Sequence, residues 1–200
     1  MSSKVKLPIT FHDIVNVLMW DDRFNKENVT SRIPAGVKIS EWLARAFTLT
    51  HIKKFANKGQ FALAYYYKNK LPGIEDELKS LQGHYLSQIK NYNSQVKQNP
   101  LSESMDILAF VQPVEVTINI LPCPPVLMFI RVNMLCDEAH TELRKLYQYG
   151  NITKSDYFKE RRELFKPLNK FRSDFSAKNR EAGELLRSVD IKPSSISNTG

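Results

Sequence analysis

The chain has 200 residues, 42% of them hydrophobic and 25% charged, which excludes wholesale disorder and allows one compact domain or a small domain with a helical extension. Lys and Arg number 29 against 21 Asp and Glu, giving a formal charge of +8 and a pI of about 9.4. That balance makes nucleic acid or an anionic membrane surface plausible partners, with a plain solvated basic surface as the ordinary alternative.

In chain order, residues 1–34 give a weak signal. Ile14, Val17, Leu18 and Met19 suggest one or two amphipathic helical turns, with Thr10 or Asp13 as cap. Asp21-Asp22 and the Asn-rich stretch Asn25–Asn28 mark its end, and Pro34 and Gly36 mark a loop. Ser40 is then expected to cap a helix carrying Trp42, Leu43, Ala46, Phe47, Leu49 and Phe55, which Gly59 ends. A Tyr-rich helical segment over 61–70 is expected to break at Pro72-Gly73. From Ile74 a new amphipathic helix carries Leu78, Leu81, Tyr85, Ile89, Tyr92 and Val96 to about Gln98, where Asn99-Pro100 stops it. Residues 101–112 form a connector.

The texture then changes. Val114, Val116, Ile118 and Ile120 alternate with Glu115, Thr117 and Asn119 between Pro113 and Pro122, the clearest strand in the chain. Beyond Pro124-Pro125, Met128, Val132, Leu135, Ala139, Leu143 and Leu146 return to helical spacing, and Gly150-Asn151 stops that helix. Thr153 or Ser155 caps a further helix with Tyr157, Phe158, Leu164 and Leu168, which Pro167 is expected to kink or end. A short helix near 181–189 and a frayed tail from Pro193 to Gly200 complete the reading.

A single strand among helices leaves its backbone N–H and C=O groups without partners. With no second strand of similar quality in view, the simplest solution is the same strand of a second copy, paired antiparallel across a two-fold axis. A strand hidden in the N-terminal segment is the other solution. In the dimer, Val114, Val116, Ile118 and Ile120 form the inner face of a two-stranded ribbon. Glu115, Thr117 and Asn119 face outward, on an element that fits the major groove of duplex DNA. Asn pairs with adenine and Thr with a thymine methyl; Glu accepts from cytosine but is repelled by phosphate.

The order strand, helix, Gly turn, helix resembles the ribbon-helix-helix DNA-binding proteins. That resemblance implies a phosphate grip at the start of the second helix, through Asn151, Thr153, Lys154 and Ser155, with Arg161 and Arg162 as weaker contacts farther along. Between Thr141 and Arg180 eleven cations stand against five anions, which supplies most of the excess charge.

The segment Pro113–Ile120, the Pro-rich approach to a helix, Leu135-Cys136-Asp137-Glu138, and Gly150 with the basic helix after it resemble the AcaB-like transcriptional activators of conjugative plasmids and integrating conjugative elements. The resemblance covers about residues 110–170 and implies sequence-specific DNA binding that switches on transfer genes. The chain departs from the pattern in its long N-terminal helical part and in carrying an acid, Glu115, on the outward strand face.

Other chemistry is not signalled. There is no Gly-rich phosphate loop and no His-Glu-x-x-His motif, and His12, His51, His84 and His140 are scattered. Cys136 and His140, four apart, are two ligands where a structural zinc site wants four, so a buried Cys beside a partly exposed His is the better reading. Glu75-Asp76-Glu77 reads as acids at a helix N-terminus. Tyr65-Tyr66-Tyr67 reads as core plus surface, not as a base-stacking platform. Two cysteines, no secretory pattern and no apolar run near 20 residues lead to the expectation of a soluble, reduced, cytoplasmic protein.

The sequence thus predicts a mainly α chain with one short strand, in three parts. These are a helical N-terminal region (1–110), a ribbon-helix-helix-like DNA-binding region (111–180), and a C-terminal helix and tail (181–200). The expected function is a homodimeric DNA-binding regulator and activator without enzymatic activity, cofactor, metal or membrane contact, with RNA polymerase or another regulator as a further partner. The alternative is a helical adaptor of a conjugation or recombination apparatus that touches DNA without sequence preference.

Overall fold

The computed structural model describes residues 4–21, 33–103 and 113–190. The Asn25–Asn28 stretch, Asp22 and the Pro193–Gly200 tail lie outside the described residues. Mainly helical with one small sheet, the structure runs β1 (Val5–Phe11), α1 (Ile14–Trp20), α2 (Gly36–Thr50), α3 (Lys58–Lys97), a 3-10 turn (Pro100–Glu103), β2 (Val114–Ile120), α4 (Pro124–Gln148) and α5 (Lys154–Asp190).

The expected pairing of β2 with a second copy is corrected. β2 pairs antiparallel with β1 of the same chain, Val5 opposite Ile120 and Phe11 opposite Val114. In β1, Ile9 and Phe11 are buried and Leu7 half-buried, while Lys6, Pro8 and Thr10 face out. That is the period-two pattern of a half-buried strand. Pro8 disguised it, because Pro cannot donate to a ladder. It is tolerated here because β1 has one sheet neighbour among the described residues. One edge of β2 is therefore paired within the chain.

α1 begins as its sequence suggests. The Asp13 side chain accepts from the Val15 N–H at 2.7 Å, and Asp21 ends the helix. α2 starts earlier than expected, at Gly36 behind Ala35, so Ser40 is not its cap. Ser40 sits buried inside the helix and donates from Oγ to the Gly36 carbonyl at 3.0 Å. Gly36 is required by packing. A Cβ there would lie 2.6 Å from Cε3 of the fully buried Trp20. α2 also ends at Thr50, before Phe55, and the next cap is Asn57, whose Oδ1 accepts from the Gln60 N–H at 2.8 Å.

Pro72-Gly73 does not break the chain into two helices; α3 runs through it for 40 residues. Both residues are exposed, whereas Leu71, Ile74 and Leu78 are buried against the rest of the molecule. Lys68, whose carbonyl Pro72 cannot serve, is exposed like Pro72 itself, so the missing donor falls on the solvent side of the helix. Glu75-Asp76-Glu77 accordingly lies mid-helix and not at a helix start, with Asp76 bonded to Lys79 and Glu77 near Lys178. An interior Pro costs a helix about 3 kcal/mol relative to Ala. Pro72→Ala should therefore raise unfolding stability by roughly 1–3 kcal/mol in urea titration; a loss of stability would show that α3 is not continuous there.

α4 begins with Pro124-Pro125, suited to the first helical positions. It ends in a Schellman turn: the Asn151 N–H donates to the Leu146 carbonyl at 2.9 Å and the Gly150 N–H to Tyr147 at 3.1 Å. Gly150 has φ 74°, the left-handed conformation that this turn demands. α5 then starts with a reciprocal cap between Thr153 and Asp156. Pro167 neither kinks it into two elements nor ends it, and the separate helix expected near 181–189 is the last part of α5.

The Gly150 turn folds α5 back antiparallel on α4, seen in the Phe129–Phe171 and His140–Tyr157 ring contacts. α3 runs parallel to α4, linked by Gln82 to Met128 and Asn99 to Tyr149. One main core spans β1, α1, α2, α3, β2, α4 and α5, with Trp20, Tyr85, Phe129, Phe171 and Phe175 among its fully buried rings. A smaller cluster joins Ala46 and Leu49 of α2 to Leu63, Tyr67 and Ala182.

Candidate nucleic-acid interface

The β1–β2 ribbon lays its apolar face on the core and turns a polar face to solvent. Val116, Ile118 and Ile120 are buried and Val114 half-buried, while Glu115, Thr117 and Asn119 are exposed. The register sets Lys6 opposite Asn119, Pro8 opposite Thr117 and Thr10 opposite Glu115. Lys6 and Thr10 were missed by sequence reasoning. Their signal was the alternation of Leu7, Ile9 and Phe11, interrupted by Pro8.

Beside the ribbon lies a cavity of about 1040 Å³ between β2 and α2, bordered by Lys4, Lys38, Glu41 and Arg45 as well as Thr117 and Asn119. α2 places Lys38, Glu41 and Arg45 on one face by their spacing of three and four. Cations from two elements thus flank the outward residues of β2.

A buried polar network holds the ribbon on the core. The Asp137 carboxylate of α4 accepts from the His12 N–H at 2.9 Å, from His12 Nδ1 at 2.7 Å and from Asn16 Nδ2 at 2.5 Å. His12 sits directly after β1, and Asn16 lies in α1. Asp13, besides capping α1, pairs with Arg144. His140 contacts Asn16 Nδ2 through Nδ1 at 3.5 Å and Tyr157 Oη through Nε2 at 2.9 Å. Burial, reinforced by Arg161, holds the His140 pKa down at about 4, so the ring is neutral near pH 7. The Asp137 carboxylate opposes that shift, but desolvation wins.

His140 is therefore buried and not partly exposed as the sequence suggested. Cys136, four residues before it, is buried too, and burial pushes its thiol up to about 12. Among the described residues no group of three or more His, Cys, Asp or Glu is placed to hold a metal ion.

The Gly150 turn lies away from the ribbon. Asp137, which anchors the end of β1, is eleven residues before the last residue of α4, a rise of about 16 Å. Asn151, Thr153, Lys154 and Ser155 are exposed. The Asn151 side chain is committed to α3, donating to the Gln95 carbonyl at 3.3 Å and accepting from Asn99. The Asp156 carboxylate at the entry to α5 is itself occupied, with Oδ2 accepting from the Thr153 hydroxyl at 2.6 Å and from the Thr153 N–H at 3.4 Å. Those bonds hold the exposed Asp156 below the ordinary Asp pKa.

Arg161 stacks on Phe158, with its guanidinium 4.9 Å from the ring centre, and Arg162 donates to the Phe158 carbonyl at 3.3 Å. Much of the positive charge of this region is internally balanced. Lys145 pairs with Glu142, Lys166 with Glu163, Lys170 with Asp174 and Lys178 with Glu77, while Arg172 is buried and donates to the Pro34 carbonyl at 2.6 and 2.9 Å.

No helix among the described residues is long and apolar enough to cross a membrane. No family model matches the chain, and no curated protein or solved structure matches it at a significant level.

Proposed function

We propose that the protein binds duplex DNA and reads it in the major groove with the outward face of the β1–β2 ribbon, as a regulator of transcription. The observation that carries this reading is the ribbon itself. A two-stranded antiparallel element of groove-fitting width exposes Lys6, Thr10, Thr117 and Asn119 on one face, with its apolar face anchored on the core. Thr117 and Asn119 carry the base contacts. Lys6, Lys4, Lys38 and Arg45 carry the phosphate contacts, supported by a net charge of +8. Glu115 is a discriminating contact to cytosine at the far end of the ribbon. Lys154 and Ser155 at the start of α5, and Arg162 farther along it, add phosphate contacts where the duplex passes the Gly150 turn.

The order β2, α4, Gly150 turn, α5 is what the resemblance to ribbon-helix-helix and AcaB-like activators rests on, and activation of transfer genes is the role that it implies. The ribbon needs no second copy to be complete. Two copies would meet on DNA by binding adjacent half-sites.

Selection from a random duplex library at near-physiological salt tests the proposal, with Thr117→Ala/Asn119→Ala beside wild type. Wild type should enrich a motif and the double variant should lose it, at about 1–3 kcal/mol per lost base contact, while keeping weak general binding. A palindromic motif would mean paired copies, and a non-palindromic one a single ribbon. If wild type enriches nothing, or the variant enriches the same motif, the ribbon is not the reader. Uniform binding with a steep salt slope would favour a helical adaptor with non-specific DNA contact.

A further inference from the structure

Between Glu41 and Glu75 the chain holds Arg45, Lys53, Lys54, Lys58, Lys68 and Lys70 and not one carboxylate. This is the longest interval of one sign of charge between two acids that also carries exposed rings. It covers the turn from α2 into α3. Large apolar side chains stand in solvent there: Phe55 is 40% exposed, Phe61 55% and Tyr65 64%.

The arrangement follows from the helix. Lys58, Phe61, Tyr65 and Lys68 step by three and four, so they share one stripe of α3, and all four are exposed. Leu63, Ala64 and Tyr67 take the buried side, and Tyr66 turns toward α5, where its hydroxyl donates to Glu181 at 2.7 Å. The acid nearest this region by hydrogen bonding is thus spent on Tyr66, off the stripe. Phe55, in the turn, meets Phe61 edge to face with ring centres 5.3 Å apart. Lys53 and Lys54 immediately precede Phe55. No ion pair joins Lys53, Lys54, Lys58 or Lys68 to a carboxylate among the described residues.

Exposed rings interleaved with unneutralised ammonium groups are costly on a free surface, since the rings gain nothing from water and the charges repel. A polyanion whose own flat groups can stack relieves both costs. We infer that the Lys58–Phe61–Tyr65–Lys68 stripe with Phe55 binds single-stranded nucleic acid, the rings stacking on unpaired bases and the lysines neutralising the phosphates between them. A lipid surface suits the patch less well, because the stripe carries no exposed aliphatic side chain and its rings are separated by charge. The site is distinct from the ribbon and does not depend on its reading of duplex DNA.

Fluorescence anisotropy of the full chain with a labelled twenty-residue oligothymidine at fixed salt tests the inference. A length-matched abasic oligonucleotide provides the same phosphates without bases. Wild type should bind the thymidine strand at least about tenfold more tightly than the abasic one, since one stacked base is worth that much. Phe61→Ala/Tyr65→Ala should erase the difference and leave selection of duplexes unchanged; both side chains are exposed, so the fold should hold, and a thermal melt checks this. Thr117→Ala/Asn119→Ala should leave single-strand binding intact. Equal affinity of wild type for the two strands would overturn stacking and leave only charge. Ring-dependent capture by phosphatidylserine–phosphatidylcholine vesicles without preference for thymidine would overturn the inference in favour of a membrane.

Discussion

Asp137→Ala should lower unfolding stability by about 3–5 kcal/mol, because its carboxylate is the shared acceptor for groups from two other elements. Removing it leaves the buried Asn16 amide with only its long 3.5 Å contact to His140 and takes the acceptor from the His12 N–H. His12, whose side chain is 42% exposed, recovers part of its loss by hydration, which keeps the effect from exceeding this range. Urea titration measures it directly. Thr141→Val is the matched control: the Thr141 hydroxyl donates to the Asp137 carbonyl at 3.0 Å on a half-exposed face, and its loss should cost under about 1 kcal/mol. The consequence reaches the ribbon, because His12 directly follows β1. Amide exchange in β1 should accelerate in Asp137→Ala before global unfolding, and DNA selection should weaken with it. Wild-type stability in Asp137→Ala would show that the network does not anchor the sheet.

Stability should also fall by about 3 kcal/mol as pH drops from 6.5 to about 4, through His140 alone. The folded-state pKa lies below the unfolded value of 6.5. Above pH 6.5 the ring is neutral in both states and contributes no slope. Between the two values only the unfolded chain takes up the proton, so protonation favours unfolding; below about 4 the effect saturates. The groups facing the ring are Asp13 from the start of α1, Asn16 from α1, Asp137 and Arg144 from α4, and Tyr157 and Arg161 from α5. His140→Gln, which can still reach Tyr157, should flatten the pH dependence across this window even if it is less stable at pH 7. An unchanged slope in that variant would assign the acid sensitivity to other groups.

The two corrected prolines and the missed strand share a cause. Pro72 and Pro167 carry a fixed local penalty, but α3 and α5 each bury long apolar faces on both sides of the ring, and packing over several turns outweighs one missing bond. Pro8 obscured β1 for the same reason: its penalty is local, whereas the pairing with Val114–Ile120 and the burial of Ile9 and Phe11 are not. The His12–Asp137 network could not be read from sequence because its members lie 125 residues apart. The stripe of Lys58, Phe61, Tyr65 and Lys68 could have been, since helical spacing alone places it. The expected helix end at Gly59 separated Lys58 from the residues after it, and the triplet Tyr65-Tyr66-Tyr67 masked the three-and-four spacing of the helix face.

By its own pattern the sequence determined which residues of β2 face in and which face out, the helical character of nearly everything else, a cap at Thr10 or Asp13 and the turn at Gly150. These depend on side-chain periodicity and on backbone conformations that few residue types accept. Only the tertiary structure decided what β2 pairs with, where the cations of the second half find their partners, and how the ribbon is fastened to α4. Those outcomes depend on which distant segments compete for the same hydrogen bonds and buried area, and no local pattern in the chain encodes the result of that competition.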